Sequence, residues 1–535
     1  MLRTIRSLLR FQRIVRTLAR HDALAPLEET GIAPGAVWVA RRLSRRAAQG
    51  RPGQKLARAL VELGPSFIKL GQMLSTRADL VGDQVAQDLA DLQDRLAPFD
   101  AALARQAIEE EFDKPPEALF ASFDDVPVSA ASIAQVHLAS VREPAAAPGG
   151  DGDGDSGAQG GAAETLVERP VAVKILRPGI EKAFERDLEF LYWVAEWALR
   201  AQPKLQRFKP IDVVEVFETT VRLEMDLRME GAAASELAEN FQDDPTYTVP
   251  AIDWQRSSRR VLTMSRVSGI PMDDRNALLA AGHDLQEVLT KAAAVFFNQV
   301  FRDGFFHGDQ HPGNMFVNAD GNILAVDFGI MGRLDWRTRR HLADMLIATL
   351  EGDYQRLAEV YMEAGYLPQR HALDIFAQAL RSVCEPIAGR PLNEISFARL
   401  LAQLLRLTES FDLPVQPQLL LLQKNMLMAE GVSRSLDPSL NIWTLAQPLI
   451  DAWMRENRGP EARLRETVDD VLHTLQRLPA LADNLDRATE ELAAGRIGLH
   501  PDTLQKISQR QASGLARWAL AAALTALVLA AVAAF

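Results

Sequence analysis

Three short segments carry residue types that suit phosphoryl transfer, and they occur in one order along the chain. Lys174 lies late in the apolar run that starts at Val171, where a lysine can pair with nucleotide phosphates. Asp309 is followed five residues later by Asn314, which is the spacing of a kinase catalytic loop. Asp327 opens an Asp-Phe-Gly triplet, where a carboxylate can hold Mg²⁺ against phosphates. Their order predicts a nucleotide site of the kinase type.

Each segment has a simpler interpretation when it is taken alone. A lysine at a strand end is commonly a surface residue, and an Asp-Phe-Gly triplet often arises by chance. The His307, Asp309 and His311 side chains could instead suggest zinc, but the run lacks further ligands and has no cysteine nearby. The shared order therefore favours the nucleotide site over these alternatives.

A fourth segment stands where kinases usually place a glycine-rich phosphate loop, and here it is rich in alanine. Alanine carries a Cβ and disfavours positive φ, so we expect a stiffer loop with an altered nucleotide preference. The hydroxyls of Ser129 and Ser132 are predicted to contact phosphate. The predicted nucleotide-binding residues of this loop are Ser129, Ala130, Ala131, Ser132, Ile133, Ala134, Gln135 and Val136.

The periodicity of apolar residues predicts the elements that must position these segments. A glycine-, alanine- and aspartate-rich insert from Pro144 is expected at a hairpin tip and carries no predicted function. Helices are predicted at 53–120, 180–240, 285–303 and from 335 to about 498. Strands are predicted at 136–141, 171–176, 249–252 and 261–267, with two short strands following Asn314.

Bulk composition bounds the class of protein. The 535 residues are 47% apolar and 24% charged, which indicates several globular units. The single cysteine, Cys384, excludes a disulfide within the chain. A net charge of −12 argues against general nucleic-acid binding, although residues 1–60 contain 13 basic and 3 acidic residues.

The two ends of the chain have different patterns. Residues 518–535 carry no charge, follow the basic residue Arg517, and predict a transmembrane anchor with the preceding domain in the cytoplasm. Residues 1–20 alternate leucine or isoleucine with arginine at helical spacing. Three interpretations stay open for them: an interfacial basic helix, an organelle transit peptide, or a helix packed on the body.

Two further motifs make a resemblance specific. Lys69-Leu70-Gly71-Gln72 has a KxGQ form, and Glu224-Met225-Asp226 has an ExD form with Glu230 six residues after Glu224. Together with the alanine-rich loop and the HGDQHPGN run from His307, these residues resemble the UbiB/ADCK family of atypical protein-kinase-like proteins. The resemblance covers roughly residues 50–440.

The resemblance implies a role for each matched residue. Lys174 would contact the nucleotide phosphates and pair with Glu230, and Asp309 would be the catalytic aspartate. Asn314 and Asp327 would hold Mg²⁺. The adenine would lie near Met264 to Val267. A regulatory lid would place Lys69 and Gln72 over the site, facing Glu224 and Asp226.

Two departures from ordinary protein kinases refine the predicted activity. An inserted helical segment is implied by the 55 residues between Lys174 and Glu230. A helix-like run follows Asp327-Phe328-Gly329 almost at once, without an Ala-Pro-Glu triplet, so the segment that presents a peptide substrate is missing.

The predicted function is an Mg-ATP-dependent ATPase or a small-molecule or lipid kinase that supports ubiquinone biosynthesis. The alternative is a nucleotide-sensing scaffold or isoprenoid-lipid-binding pseudokinase; a quinone hydroxylase lacks a flavin fingerprint.

The predicted fold class is α+β, a bilobal protein-kinase-like fold with an N-terminal helical extension and a C-terminal transmembrane helix. The predicted domains are a basic amphipathic segment (1–50), a KxGQ helical extension (51–120), an N-lobe with inserted helices (121–267), a helical C-lobe (268–440), a helical stalk (441–515) and an anchor (516–535). The implied cofactors are ATP and Mg²⁺. The expected partners are membrane lipid, isoprenoid phenols and quinone-biosynthesis proteins, at the cytoplasmic membrane and without nucleic acid; a homodimer stays open.

Overall fold

The structure, a computed structural model, describes most of the chain up to residue 453. The described residues are 2–23, 50–75, 81–90, 92, 97–144, 166–201, 209–367, 372–386, 396–411, 413, 416–438 and single positions from 440 to 453. The Gly/Asp-rich insert at 145–165, most of the predicted stalk and the predicted anchor lie outside them.

A group of helices precedes the kinase-like core. They are α1 (Leu2–Arg20), α2 (Pro52–Leu63), α3 (Pro65–Ser75), α4 (Asp83–Ala90), α5 (Ala101–Phe112) and α6 (Pro116–Leu119). Ile14, Val15 and Leu18 of α1 are buried in one apolar cluster with Leu60 of α2 and Phe190 from a later helix. Of the three interpretations of the basic N-terminus, the structure therefore shows a helix packed on the body for this half of α1.

An antiparallel sheet forms the small lobe. Its strands are β1 (Ser122–Phe123), β2 (Ser129–Ala130), β3 (Ala134–Pro144), β4 (Leu166–Leu176) and, after β5 (Tyr247–Thr248) in another sheet, β6 (Val261–Ser265). β3 and β4 pair over eleven residues, and β6 pairs with the other side of β4. Central strands of this kind bury branched apolar side chains, and Val171, Val173 and Ile175 are fully buried against α5.

Three helices are inserted between β4 and β6: α7 (Ile180–Ala201), α8 (Pro210–Glu224) and α9 (Leu227–Asn240). Pro210 stands at the first position of α8, where a missing N–H costs nothing. The carboxylate of Asp226 caps α9 by accepting from the N–H of Arg228. The predicted helical insert is thus present, and it delivers Glu230 to the sheet.

The large lobe begins with helices and then supplies short strands at the cleft. Its elements are β7 (Ile270–Pro271), α10 (Arg275–Ala280), α11 (Leu285–Phe297), a π-helical turn (Asn298–Asp303), β8 (Phe305–His307), β9 (Met315–Val317), β10 (Ile323–Ala325) and β11 (Met331–Arg333). β10 lies between β9 and β5, and β11 pairs with β8. The predicted helix at 285–303 therefore ends in a π-helical turn rather than continuing as an α-helix.

Helices complete the described part of the chain: α12 (Trp336–Glu351), α13 (Tyr354–Glu363), α14 (Leu373–Cys384), α15 (Phe397–Ser410) and α16 (Pro417–Leu436). α13, α14 and α15 share an apolar cluster that includes Leu357, Phe376 and Leu400. Cys384 is also buried in this cluster, and burial raises the pKa of its thiol to about 11.

The predicted fold class needs one correction. In the described ranges no helix is both long enough and apolar enough to cross a membrane, so the structure does not support the transmembrane helix in that fold class. Among the described helices, α7 has 22 residues and is long enough, but its acidic and basic side chains, including Glu181, Asp187 and Arg200, exclude it from a membrane core. The segment 516–535, on which the prediction rested, lies outside the described residues.

The strand predicted at 249–252 is also wrong. Pairing in this region is limited to β5, which precedes Pro250, and to an isolated bridge between Ile252 and Met264. Proline has no N–H to donate, so a ladder cannot run through Pro250.

Candidate active site

The middle strand of the small lobe positions Lys174. Its neighbours Val173 and Ile175 are buried on the face toward α5, so the alternation of a strand turns Lys174 to the opposite face. Its Nζ donates to both carboxylate oxygens of Glu230, at 2.8 and 2.9 Å, and to Oδ1 of Asp327 at 2.9 Å. The structure thus joins three residues that lie far apart in the sequence.

These charges shift one another's proton affinity. The ammonium of Lys174 holds the pKa of Asp327 well below its ordinary value, and Lys69 adds to this effect. Burial acts to lower the pKa of Lys174, but the carboxylates of Asp327 and Glu230 outweigh burial and raise it. Lys174 is therefore a cation and Asp327 an anion across the physiological pH range.

The catalytic loop is held by a buried histidine at the end of β8. The ring of His307 accepts the N–H of Asp309 at Nδ1, 3.0 Å away, and donates from Nε2 to the carbonyl of Val326 at 3.2 Å. Burial lowers the pKa of His307, so the ring is neutral and this hydrogen-bond pattern assigns its proton to Nε2. The ring also packs against Phe328. The loop and the Asp-Phe-Gly segment are thus fixed to each other.

Two oxygen-bearing side chains are placed as a magnesium site requires. The amide nitrogen of Asn314 donates to the carbonyl of Asp309 at 3.1 Å, which leaves the amide oxygen available as a ligand. The Asp327 side chain is half exposed and its backbone adopts a left-handed φ of 64°. One carboxylate and one amide oxygen, completed by phosphates and water, suit Mg²⁺. Among the described residues no cluster of three or more His, Cys, Asp or Glu side chains could hold a metal by itself.

The alanine-rich segment forms a tight hairpin rather than an open loop. β2 pairs with β3, so that Ser129 lies opposite Val136, and the N–H of Ala131 donates to the carbonyl of Ala134 at 2.8 Å. Ser129 is exposed, whereas Ser132 and Gln135 are buried. The side chain of Gln135 contacts Phe99 and His137. The hydroxyl of Ser129 and the hairpin backbone are therefore the groups that this segment presents to a ligand.

The predicted adenine region lies at the end of β6. Met264 is buried and lies opposite Ala172 of β4, while Val267 follows the strand and is partly exposed. Met264 thus lies on the strand that pairs with the Lys174 strand, and Val267 lies just beyond its end, where the base of a phosphate-bound nucleotide would reach.

The KxGQ helix is tied to the ExD segment by one ion pair. Nζ of Lys69 lies 2.9 Å from the carboxylate of Glu224, and both side chains are mostly buried. Asp226 binds the guanidinium of Arg228 and caps α9. The carbonyl of Gln72 accepts from Ser75. The structure therefore brings Lys69 to Glu224, while the carboxylate of Asp226 binds Arg228.

Two residues of α16 reach the catalytic loop although sequence reasoning did not single them out. Nζ of Lys424 lies 2.6 Å from Oδ1 of Asp309. The fully buried Asn425 donates to the carbonyl of His307 and accepts from the N–H of Gln310. Both contacts cross about a hundred residues of sequence, and the only signal is a Lys-Asn pair close to the apolar run 419–422.

A sheet lysine paired with a helix glutamate, a catalytic loop and an Asp-Phe-Gly carboxylate together define an atypical kinase-like protein. Family comparison agrees, because residues 91–146 and 156–361 match the ABC1 atypical kinase-like domain. Residues 380–441, which contain α16, match the UbiB helical domain. The chain belongs to the UbiB family, and this membership implies a role in ubiquinone biosynthesis.

Relatives in several bacteria are similar over most of their length. A probable protein kinase UbiB of Xanthomonas euvesicatoria is 42% identical over 475 residues, which cover 86% of this chain and 81% of the relative. The corresponding protein of Azotobacter vinelandii is 38% identical over 496 residues, covering 91% and 87%. Among solved structures, the Rv3197–erythromycin complex from Mycobacterium tuberculosis is 24% identical with a TM-score of 0.46, covering 73% of this chain and 93% of that one.

Proposed function

We propose that this chain is an Mg-ATP-dependent enzyme, an ATPase or a small-molecule or lipid kinase, that supports ubiquinone biosynthesis. The observation that carries the proposal is the joined triad of Lys174, Glu230 and Asp327, with Asp309 on the adjacent catalytic loop. Phosphoryl transfer depends mainly on positioning and charge stabilisation, so this small set of side chains is sufficient in principle.

Each residue has a defined task in this proposal. Lys174 binds phosphate oxygens while Glu230 keeps its ammonium oriented. Asp309 accepts the proton of the attacking hydroxyl or water as the bond from the γ-phosphorus to the bridging oxygen breaks and the new bond to the acceptor forms. Asn314 and Asp327 would hold Mg²⁺, which supplies charge neutralisation along the phosphates.

The short segment after the Asp-Phe-Gly triplet favours a small acceptor over a peptide. Only residues 330–335 separate Gly329 from α12, and β11 within them pairs with β8. Asp335 then caps α12 by accepting from the N–H of Thr338. Because residues 330–335 are short and fixed in this way, they do not form a long loop to which a peptide substrate could bind. We therefore propose water, an isoprenoid phenol or another lipid as the acceptor, met at the cytoplasmic membrane surface.

A second candidate function is a nucleotide-sensing scaffold with little chemistry. The ion pair between Asp309 and Lys424 favours it, because a catalytic carboxylate that is already paired is a weaker proton acceptor. In this alternative, nucleotide binding would change how the KxGQ helix, held by Lys69 and Glu224, presents itself to quinone-biosynthesis proteins.

The two functions are separated by measuring Mg²⁺-dependent ATP hydrolysis by the full chain, alone and with anionic liposomes carrying an isoprenoid phenol. Asp309→Asn is the matched variant, since it removes the charge and keeps the shape. We expect turnover to fall by about a hundredfold or more in the variant. Turnover that Asp309→Asn leaves unchanged would refute the enzyme, and nucleotide binding without any turnover would favour the scaffold.

A further inference from the structure

The UbiB helical domain supplies a charged residue to the candidate active site. We propose that Lys424 is a positioning residue that neutralises and orients the Asp309 carboxylate, so that the γ-phosphate of ATP is accepted beside it. The proposal rests on the proposed nucleotide function and assigns α16 to the phosphate end of the site.

The backbone of Lys424 is held beside the catalytic loop by the residue that follows it. Its neighbour Asn425 is fully buried, and its amide bonds to the main chain of His307 on one side of Asp309 and of Gln310 on the other. The amide therefore spans the loop at the point where Asp309 projects. Because Asn425 fixes this turn of α16 against the loop, the ammonium of Lys424 stays within reach of the carboxylate.

The ion pair is close and only partly open to water. Nζ of Lys424 lies 2.6 Å from Oδ1 of Asp309, and the two side chains are 30% and 24% exposed. The ring of His311 also lies near this carboxylate, but its Nε2 is 3.9 Å from Oδ2, beyond hydrogen-bond distance. Within the described part of the chain, Lys424 is therefore the cation in direct contact with Asp309.

Electrostatics gives this contact a consequence for nucleotide choice. A bare carboxylate repels the γ-phosphate of ATP, whereas ADP ends before this position. The ammonium of Lys424 beside Asp309 cancels that repulsion. Removing the ammonium therefore weakens the binding of ATP more than the binding of ADP. The repulsion arises between the γ-phosphate and the Asp309 carboxylate. Removing Lys424 should therefore not change the preference for ATP over ADP when Asp309 is itself neutral.

The experiment measures the dissociation constants of Mg-ATP and Mg-ADP by calorimetry, with kcat and KM for ATP where turnover is present. The variants are Lys424→Met, which keeps the side-chain length without the charge, and Lys424→Arg, which keeps the charge. Arg434→Met is the matched control, because it removes a cation from the same helix at an exposed position. Lys424→Met is also combined with Asp309→Asn.

We expect Lys424→Met to reduce the preference for ATP over ADP about fivefold, as befits a partly exposed charge pair. Lys424→Arg and Arg434→Met should keep the preference within about twofold. The double variant should show the same preference as Asp309→Asn alone, because no carboxylate is left to neutralise. Where turnover is present, Lys424→Met should raise KM for ATP, and Lys424→Arg should restore it.

The outcomes separate this inference from the proposed function. A chain that binds ATP without turning it over refutes the enzyme, and the ATP-to-ADP preference still tests Lys424. Equal weakening of ATP and ADP in Lys424→Met, or an unchanged preference, would overturn the inference while leaving Asp309-dependent turnover intact. A wild-type chain that binds neither nucleotide would overturn both.

Discussion

Replacing Lys174 by methionine removes the cation of the triad and leaves Glu230 buried without its partner. The Glu230 side chain is 6% exposed and accepts two hydrogen bonds from Lys174, whereas Asp327 is half exposed and can be solvated by water. Breaking a buried ion pair costs about 3–5 kcal/mol of unfolding free energy. Glu230 can avoid this cost only by binding a proton.

The cost of that proton sets the size of the effect. Protonating a carboxyl costs about 1.36 kcal/mol for each pH unit above an ordinary glutamate pKa near 4.3, hence about 4 kcal/mol near pH 7.5. The two estimates agree, so we expect Lys174→Met to lose about 4 kcal/mol there. The folded variant holds a proton that the unfolded chain releases, so its stability relative to wild type recovers as the pH falls. Near pH 5.5 the loss should be about 1.6 kcal/mol.

Urea denaturation of the full chain, followed by circular dichroism near pH 7.5 and near pH 5.5, measures this difference. The control is Lys174→Met combined with Glu230→Gln, which supplies a neutral side chain of the same shape. We expect this double variant to regain most of the lost stability near pH 7.5 and to lack the additional pH dependence. A loss that is equal at both pH values, or a double variant no more stable than the single one, would refute the reasoning.

Three further predictions concern other parts of the fold. Burial lowers the pKa of His137, so the unfolded chain binds a proton there before the folded chain does, and the fold loses stability as the pH falls below about 6.5. Thermal melts of His137→Gln should therefore depend less on pH between about 6.5 and 5.5 than those of wild type. Gly332→Ala should destabilise the large lobe by about 1–3 kcal/mol in urea denaturation, because a Cβ there would clash with the buried ring of Phe306. Lys69→Met should speed amide exchange in α3 about tenfold, measured by mass spectrometry, because the ion pair with Glu224 is lost.

The sequence was informative where a local rule acts on adjacent residues. The apolar alternation around Lys174 and the turn between β9 and β10 predicted these strands, and the long interval before Glu230 predicted the helical insert. Local rules also explain one wrong assignment. Pro250 cannot donate to a ladder, so the strand predicted there did not form. A short aspartate side chain caps a helix readily, and Asp226 does so at the start of α9.

The part of the site that escaped prediction depends on tertiary contact. Lys424 and Asn425 lie in a helix whose other residues predict only packing against neighbouring helices. No spacing rule connects them to His307 or Asp309. Only the packing of α16 against the catalytic loop reveals the contact. Residues contributed by a later domain carry no local signal, because the geometry that makes them functional is created by the fold.

The buried position of the chain's single cysteine has a practical consequence for labelling. A thiol reacts as its thiolate, and the raised pKa and the burial of Cys384 in the helical cluster both keep it from reacting. A cysteine introduced at an exposed position such as Val126 would therefore be modified selectively in the otherwise unaltered chain. Spin labels or fluorophores for measuring distances between the lobes can be attached one at a time without first building a cysteine-free protein.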